Sequence, residues 1–174
     1  MGYTFTDHIH NFAVWTAARA VQRNFTNTGN IKSAIEKAEL RLLIDSREIW
    51  TNEQFDIYHQ GKANIIITSL KVGGKALEIK ATYGRAAKII AIYIKTVAVI
   101  RYSGVGNLAK IAHPPIDRIL LTKAHKDHQN LGLDKINWTQ LSEIEYFDLI
   151  GKLRTLRFEN FWEIEKYWSP LQNE

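Results

Sequence analysis

A chain of 174 residues, 45% hydrophobic and 24% charged, is long enough for one domain with a substantial core. It contains no cysteine, which excludes disulfides and thiolate-bound metal or iron–sulfur centres. A formal charge of +5 and a pI near 9.4 favour polyanionic partners, DNA or RNA, through an attraction that carries no specificity of its own.

The opening MGYTFTDHIH lacks the basic region and apolar run of a signal peptide, so a cytoplasmic protein is expected. Asp7 predicts a helix cap, with a first helix to about Phe25; Ile9, Phe12, Ala13, Thr16 and Ala20 make one face, and Arg19 and Arg23 share another. Asn27-Thr28-Gly29-Asn30 reads as a turn into a second helix, on which Ile31, Ala34, Ile35, Ala38 and Leu42 recur at helical spacing. Together the two predict an antiparallel helical hairpin. Thr51 and Gln54 match a capping box that opens a third helix through Phe55 and Tyr58 toward Leu70. Gly61 and the β-branched run from Ile65 to Thr68 argue against the second half of that helix, but no partner strand is evident. Val72-Gly73-Gly74 then interrupts the chain.

The most apolar stretch follows. Residues 82–102 predict a buried central helix, closed by Gly104, which suits a left-handed helix stop. The run is too short, and too interrupted by Lys95, for the roughly 20 apolar residues of a bilayer span, so no membrane contact is expected. Arg85, Lys88 and Lys95 fall on one side of it as a basic stripe. After a loop and one helical turn, His113-Pro114-Pro115 leads into a helix over 115–125 with proline in its first turn. A polar loop reaches Leu133. Ser142 and Glu145 form a second capping box, opening a helix through Ile150 and Leu156. A last helix over 159–168, anchored by Trp162 and Trp168, ends at Ser169-Pro170. With no repeat, low-complexity tract or linker, the prediction is a single compact all-α, multi-helix domain over 1–174, built around the central helix at 82–102.

Motifs for chemistry are sparse. Gly73-Gly74-Lys75 lacks the spacing of a phosphate loop, and His125 and His128 share a helix face without a carboxylate pair, so neither a cofactor nor a metal is predicted. Tyr83-Gly-Arg-Ala-Ala-Lys88 and Pro115-Ile-Asp117 together resemble the helix-hairpin-helix DNA glycosylases of the 8-oxoguanine type, over about residues 80–125. In bifunctional members a lysine at the start of one helix is followed by an aspartate after a P-[VI]-D-like turn. The resemblance implies that Lys88 attacks the sugar C1′ and forms a Schiff base, while Asp117 stabilises the developing positive charge or moves protons. The family's L-P-G-[VI]-G-like turn ahead of the lysine is absent here. The basic stripe adds Arg85 and Lys95 as expected nucleic-acid contacts, and Tyr83 is expected to stack on a base flipped out of the duplex. Attack requires a neutral lysine at pH 7, about 3 units below the ordinary 10.4; burial, Arg85 one turn away and a nearby helix N-terminus all push that way.

Two other readings fit the same sequence. One is a non-enzymatic helical interaction module whose aromatic-rich C-terminus docks a protein partner. In the other, Arg118 and His125 resemble the R-x(4–6)-H signature of the HEPN ribonucleases, which implies that the pair acts on RNA at a dimer cleft, although Ile119 stands where a polar residue often follows the arginine.

Overall fold

The apolar run in the middle of the chain forms a helix that its neighbours bury almost completely. The computed structural model describes residues 2–72 and 74–169, and over these every regular element is helical. The helices are α1 (Phe5–Val21), α2 (Thr28–Lys37), α3 (Asn52–Lys71), α4 (Lys75–Lys80), α5 (Tyr83–Ile94), α6 (Asn107–Ile111), α7 (Arg118–Asp127) and α8 (Glu143–Arg154). Short 3₁₀ turns lie at Leu40–Leu43, Gln129–Leu131, Leu133–Lys135, Trp138–Gln140 and Phe161–Tyr167. The all-α expectation holds.

α5 is the element on which the others pack. Ile89, Ile90, Tyr93 and Ile94 are buried on it, and α1, α3, α8 and the Trp138–Gln140 turn cover it. Ala13, Ala17 and Ala18 of α1 are fully buried, small side chains that let the α1 and α5 backbones approach closely. At Lys95 the α-helix widens into a π-type turn over Lys95–Ile100. It stops at Gly104, whose φ of +77° is left-handed and whose N–H donates to the Val99 carbonyl at 2.7 Å. Trp162 lies directly against Gly104 and donates its indole N–H to the Gly104 carbonyl at 3.2 Å.

The capping boxes predicted at Thr51–Gln54 and Ser142–Glu145 are both formed. Several boundaries need correction. α1 is capped by Thr4, not Asp7; Asp7 is its reciprocal partner three residues in, and the helix ends at Val21. The β-branched run Ile65–Thr68 is helical, because Ile66 and Leu70 bury against the core. The prolines at 114 and 115 precede α7 in a buried irregular segment, and the cap is Asp117. The last helix is a 3₁₀ turn over Phe161–Tyr167. The breaks expected at Gly73 and Pro170 lie outside the described residues.

Candidate functional site

Lys88 and Asp117, 29 positions apart, meet in space. Lys88 Nζ donates to Asp117 Oδ2 at 3.1 Å, with 8% of the lysine side chain and 16% of the aspartate exposed. The α5 position faces inward, toward the gap between α1, the start of α7 and the last 3₁₀ turn. Asp117 holds its place by capping. Its Oδ1 accepts the Leu120 N–H at 2.9 Å, which satisfies one of the unpaired donors of the α7 N-terminus. Its Oδ2 accepts both the lysine and the indole N–H of Trp168, the latter at 2.9 Å. On another side the Lys88 ammonium sits 4.6 Å from the centre of the Trp138 ring.

A second ion pair lies beside the first. Lys95, two turns on from Lys88 where the π-type turn begins, pairs with Glu165 and lies 5.1 Å from the centre of the Trp168 ring. The four charged side chains, with Ala20, Ile92, Pro115, Ile119 and Trp168, line a cavity of about 230 Å³. That is smaller than the roughly 300–1,000 Å³ of a whole small-molecule site, a size for one part of a larger substrate. A larger cleft of about 390 Å³ runs beside α8, but among its lining residues no ionisable side chain is buried.

The electrostatics of the cavity are balanced. Burial is the largest influence on Lys88 and lowers its pKa below the ordinary 10.5; the Asp117 carboxylate opposes it without cancelling it. Burial likewise raises Glu165, against the pull of Lys95. The expected help from the α5 N-terminus is remote: Thr82 is the cap, so Lys88 stands in the second turn.

The other expected contacts are placed differently. Lys95 lines the cavity, although it is already neutralised by Glu165. Arg85 is turned away: it donates to the Lys80 carbonyl at 2.7 Å and covers the Phe25 ring at 4.9 Å, tying the α4–α5 junction to the end of α1. Tyr83 requires correction. It is buried, with its hydroxyl 3.1 Å from His59 Nδ1, so no base can reach its face. Arg118 and His125 both turn to Asp134, Arg118 donating to its backbone carbonyl at 3.0 Å and His125 lying 3.4 Å from its carboxylate. Among the described residues no cluster of three or more potential ligands is placed to hold a metal.

Behind the site runs a largely buried polar chain that sequence reasoning did not see. It runs Tyr83, His59, Tyr146, His113, Asp56, Arg154, with successive contacts of 3.1, 3.5, 3.1, 2.8 and 2.7 Å. One proton arrangement satisfies every link. Tyr83 donates to His59 Nδ1, His59 Nε2–H to the Tyr146 oxygen, Tyr146 to His113 Nδ1, and His113 Nε2–H to Asp56; these tautomers are assigned from the partners. Both histidines are then neutral, in keeping with burial, which lowers the pKa of each. Arg154 grips Asp56 with two hydrogen bonds of 2.7 Å and holds its carboxyl below the usual range; burial, the largest single influence on Asp56, acts the other way. His113, four residues before Asp117, is thereby held at both ring nitrogens.

No family model, curated protein or solved structure matches this chain.

Proposed function

We propose that this protein binds DNA and acts on the sugar at a lesion through an imine at Lys88, as a glycosylase/lyase. The observation that supports this reading is a buried amine of lowered pKa, within hydrogen-bond reach of one carboxylate, at the wall of a cavity. At an abasic site the neutral Nζ adds to C1′ of the ring-opened sugar. Loss of water gives a protonated imine, whose positive charge lies where Asp117 Oδ2 now meets the ammonium. Asp117 then takes a C2′ proton, the C–H pair moves toward the imine, and the 3′ phosphate leaves with the C3′–O pair. Hydrolysis frees the lysine. With a base still attached, the same nitrogen displaces it at C1′, and the base departs with the bonding pair and takes up a proton.

The test is strand cleavage. An oligonucleotide with one abasic site should be nicked on its 3′ side by the wild-type protein and not by Lys88→Gln, with both proteins folded by circular dichroism. Nicking by Lys88→Gln at the wild-type rate, or by neither protein, rejects the lyase reading.

A second reading, a protein-interaction module, has its own observation. Ile49 and Val105, 82% and 72% exposed, flank a cavity of about 160 Å³ also lined by Leu43 and Tyr102, on a different face from Lys88. Loss of a partner on Ile49→Asp with cleavage activity absent throughout would favour that reading.

A further inference from the structure

We infer that the outward face of α1 is a platform for unpaired nucleic acid, and that it feeds the Lys88 cavity with a single strand. The inference rests on the reading above for its substrate, and on separate observations for its surface. Phe5, His8, Phe12, Trp15 and Arg19 follow one another at helical spacing along α1, and all are exposed. Phe12 and Trp15 are 54% and 53% exposed, with their rings stacked at a centroid separation of 6.0 Å. They lie opposite the buried Ala13, Val14, Ala17 and Ala18, so packing on the core does not account for them.

Three features identify the occupant. The first is charge: Arg19, and Arg23 just beyond the helix, are exposed and have no carboxylate partner among the described residues. The one acidic residue of α1, Asp7, is taken up by Arg41 and Thr4. A face with aromatic rings and free guanidinium groups and no free carboxylate suits bases and phosphates rather than an apolar protein helix. The second is proximity: Ala20, next to Arg19, lines the Lys88 cavity, with Trp15 about 7.5 Å along the axis and about 140° around the helix from it and Phe12 about 12 Å along and about 80° around, so a strand on this face reaches the cavity by passing over the flank of α1. The third concerns strandedness. Phe12 and Trp15 stand on the convex surface of a helix, where they reach base faces only in a strand whose bases are not already stacked in a duplex.

The experiment is fluorescence anisotropy with a labelled single-stranded DNA oligonucleotide and its duplex, against wild type, Phe12→Ala, Trp15→Ala and the Arg19→Gln/Arg23→Gln pair. All four positions are exposed, and circular dichroism checks the fold of each variant. Each aromatic substitution should weaken single-strand binding about 5- to 150-fold and leave duplex binding nearly unchanged. Loss of the two arginines should lower the slope of log affinity against log salt by about 1.4 for the single strand. Single-strand affinity unchanged in the aromatic variants overturns the inference. So does loss of self-association in Trp15→Ala with unchanged DNA affinity, which would mean that a second copy covers the face. The two readings fail separately. Aromatic-dependent binding without strand cleavage leaves the platform standing and removes the lyase; strand cleavage by Trp15→Ala with unchanged single-strand affinity does the reverse.

Discussion

At Lys88 two influences oppose one another within a few ångströms: burial disfavours the ammonium, and Asp117 favours it. Because burial prevails, the folded lysine loses its proton below 10.5, while the unfolded chain still holds it. Stability therefore rises with pH across that interval, and strand cleavage should rise with pH over a range below that of an ordinary lysine. Asp117→Asn keeps a good cap and removes the counter-charge. Its pH–rate profile should therefore ascend at lower pH than the wild type, and an unmoved limb would show that the carboxylate does not tune the amine. Asp117→Ala also loses the cap, so it should be about 1 kcal/mol less stable than Asp117→Asn in urea unfolding; equal midpoints would contradict the cap. Arg85 makes the contrasting case. Its guanidinium is spent on the Lys80 carbonyl and the Phe25 ring, so Arg85→Ala should lower the melting temperature and leave DNA affinity unchanged.

At the scale of elements, the site depends on how closely the start of α5 meets the Trp138–Gln140 turn. Gly84 donates its N–H to the Leu141 carbonyl at 3.2 Å, and Thr82 donates its hydroxyl to the Thr139 carbonyl at 2.7 Å. A Cβ at Gly84 would overlap the Trp138 carbonyl oxygen, which is backbone and cannot swing aside. Gly84→Ala should therefore cost about 1–3 kcal/mol and shift Trp138 from its place over Lys88, visible in denaturant unfolding and in indole fluorescence; wild-type behaviour in both would contradict the close approach. Element identity was legible where the signal is local. The boxes at Thr51 and Ser142 are complete within four residues, and the apolar density of 82–102 has no other use than burial. Boundaries were legible only where one interpretation was available. Thr4 and Asp7 bond reciprocally, so either reads as a cap, and the split between α4 and α5 depends on that tertiary contact with the Trp138 turn. Proline at 115 suits a first helical turn, but Asp117 caps α7, so the helix starts only after it and both prolines stay outside.

Across the whole molecule, the polar chain from Tyr83 to Arg154 joins α3, α5, α8 and the segment before α7. Its links span 24 to 98 positions, and no local pattern marks them, which is why the sequence offered Tyr83 only as a base-stacking residue and His113 only as the residue before two prolines. The site was legible in part: Lys88 and Asp117 were named by resemblance, whereas Trp138, Glu165 and the framework behind Asp117 required the fold. The chain also sets the response to acid. His59 and His113 are held below 6.5 by burial, so the unfolded state binds protons first as pH falls through that value, and stability falls with it. The melting temperature should drop between pH 7 and pH 5, and a flat profile would mean that the histidines take up protons in the fold as readily as in the unfolded chain. The central claim is the imine at Lys88, and borohydride trapping on an abasic oligonucleotide followed by peptide mapping tests it most directly. The account predicts one covalent adduct, on the peptide carrying Lys88 and absent from Lys88→Gln; no adduct, or one on an exposed lysine with Lys88 unmodified, would contradict it.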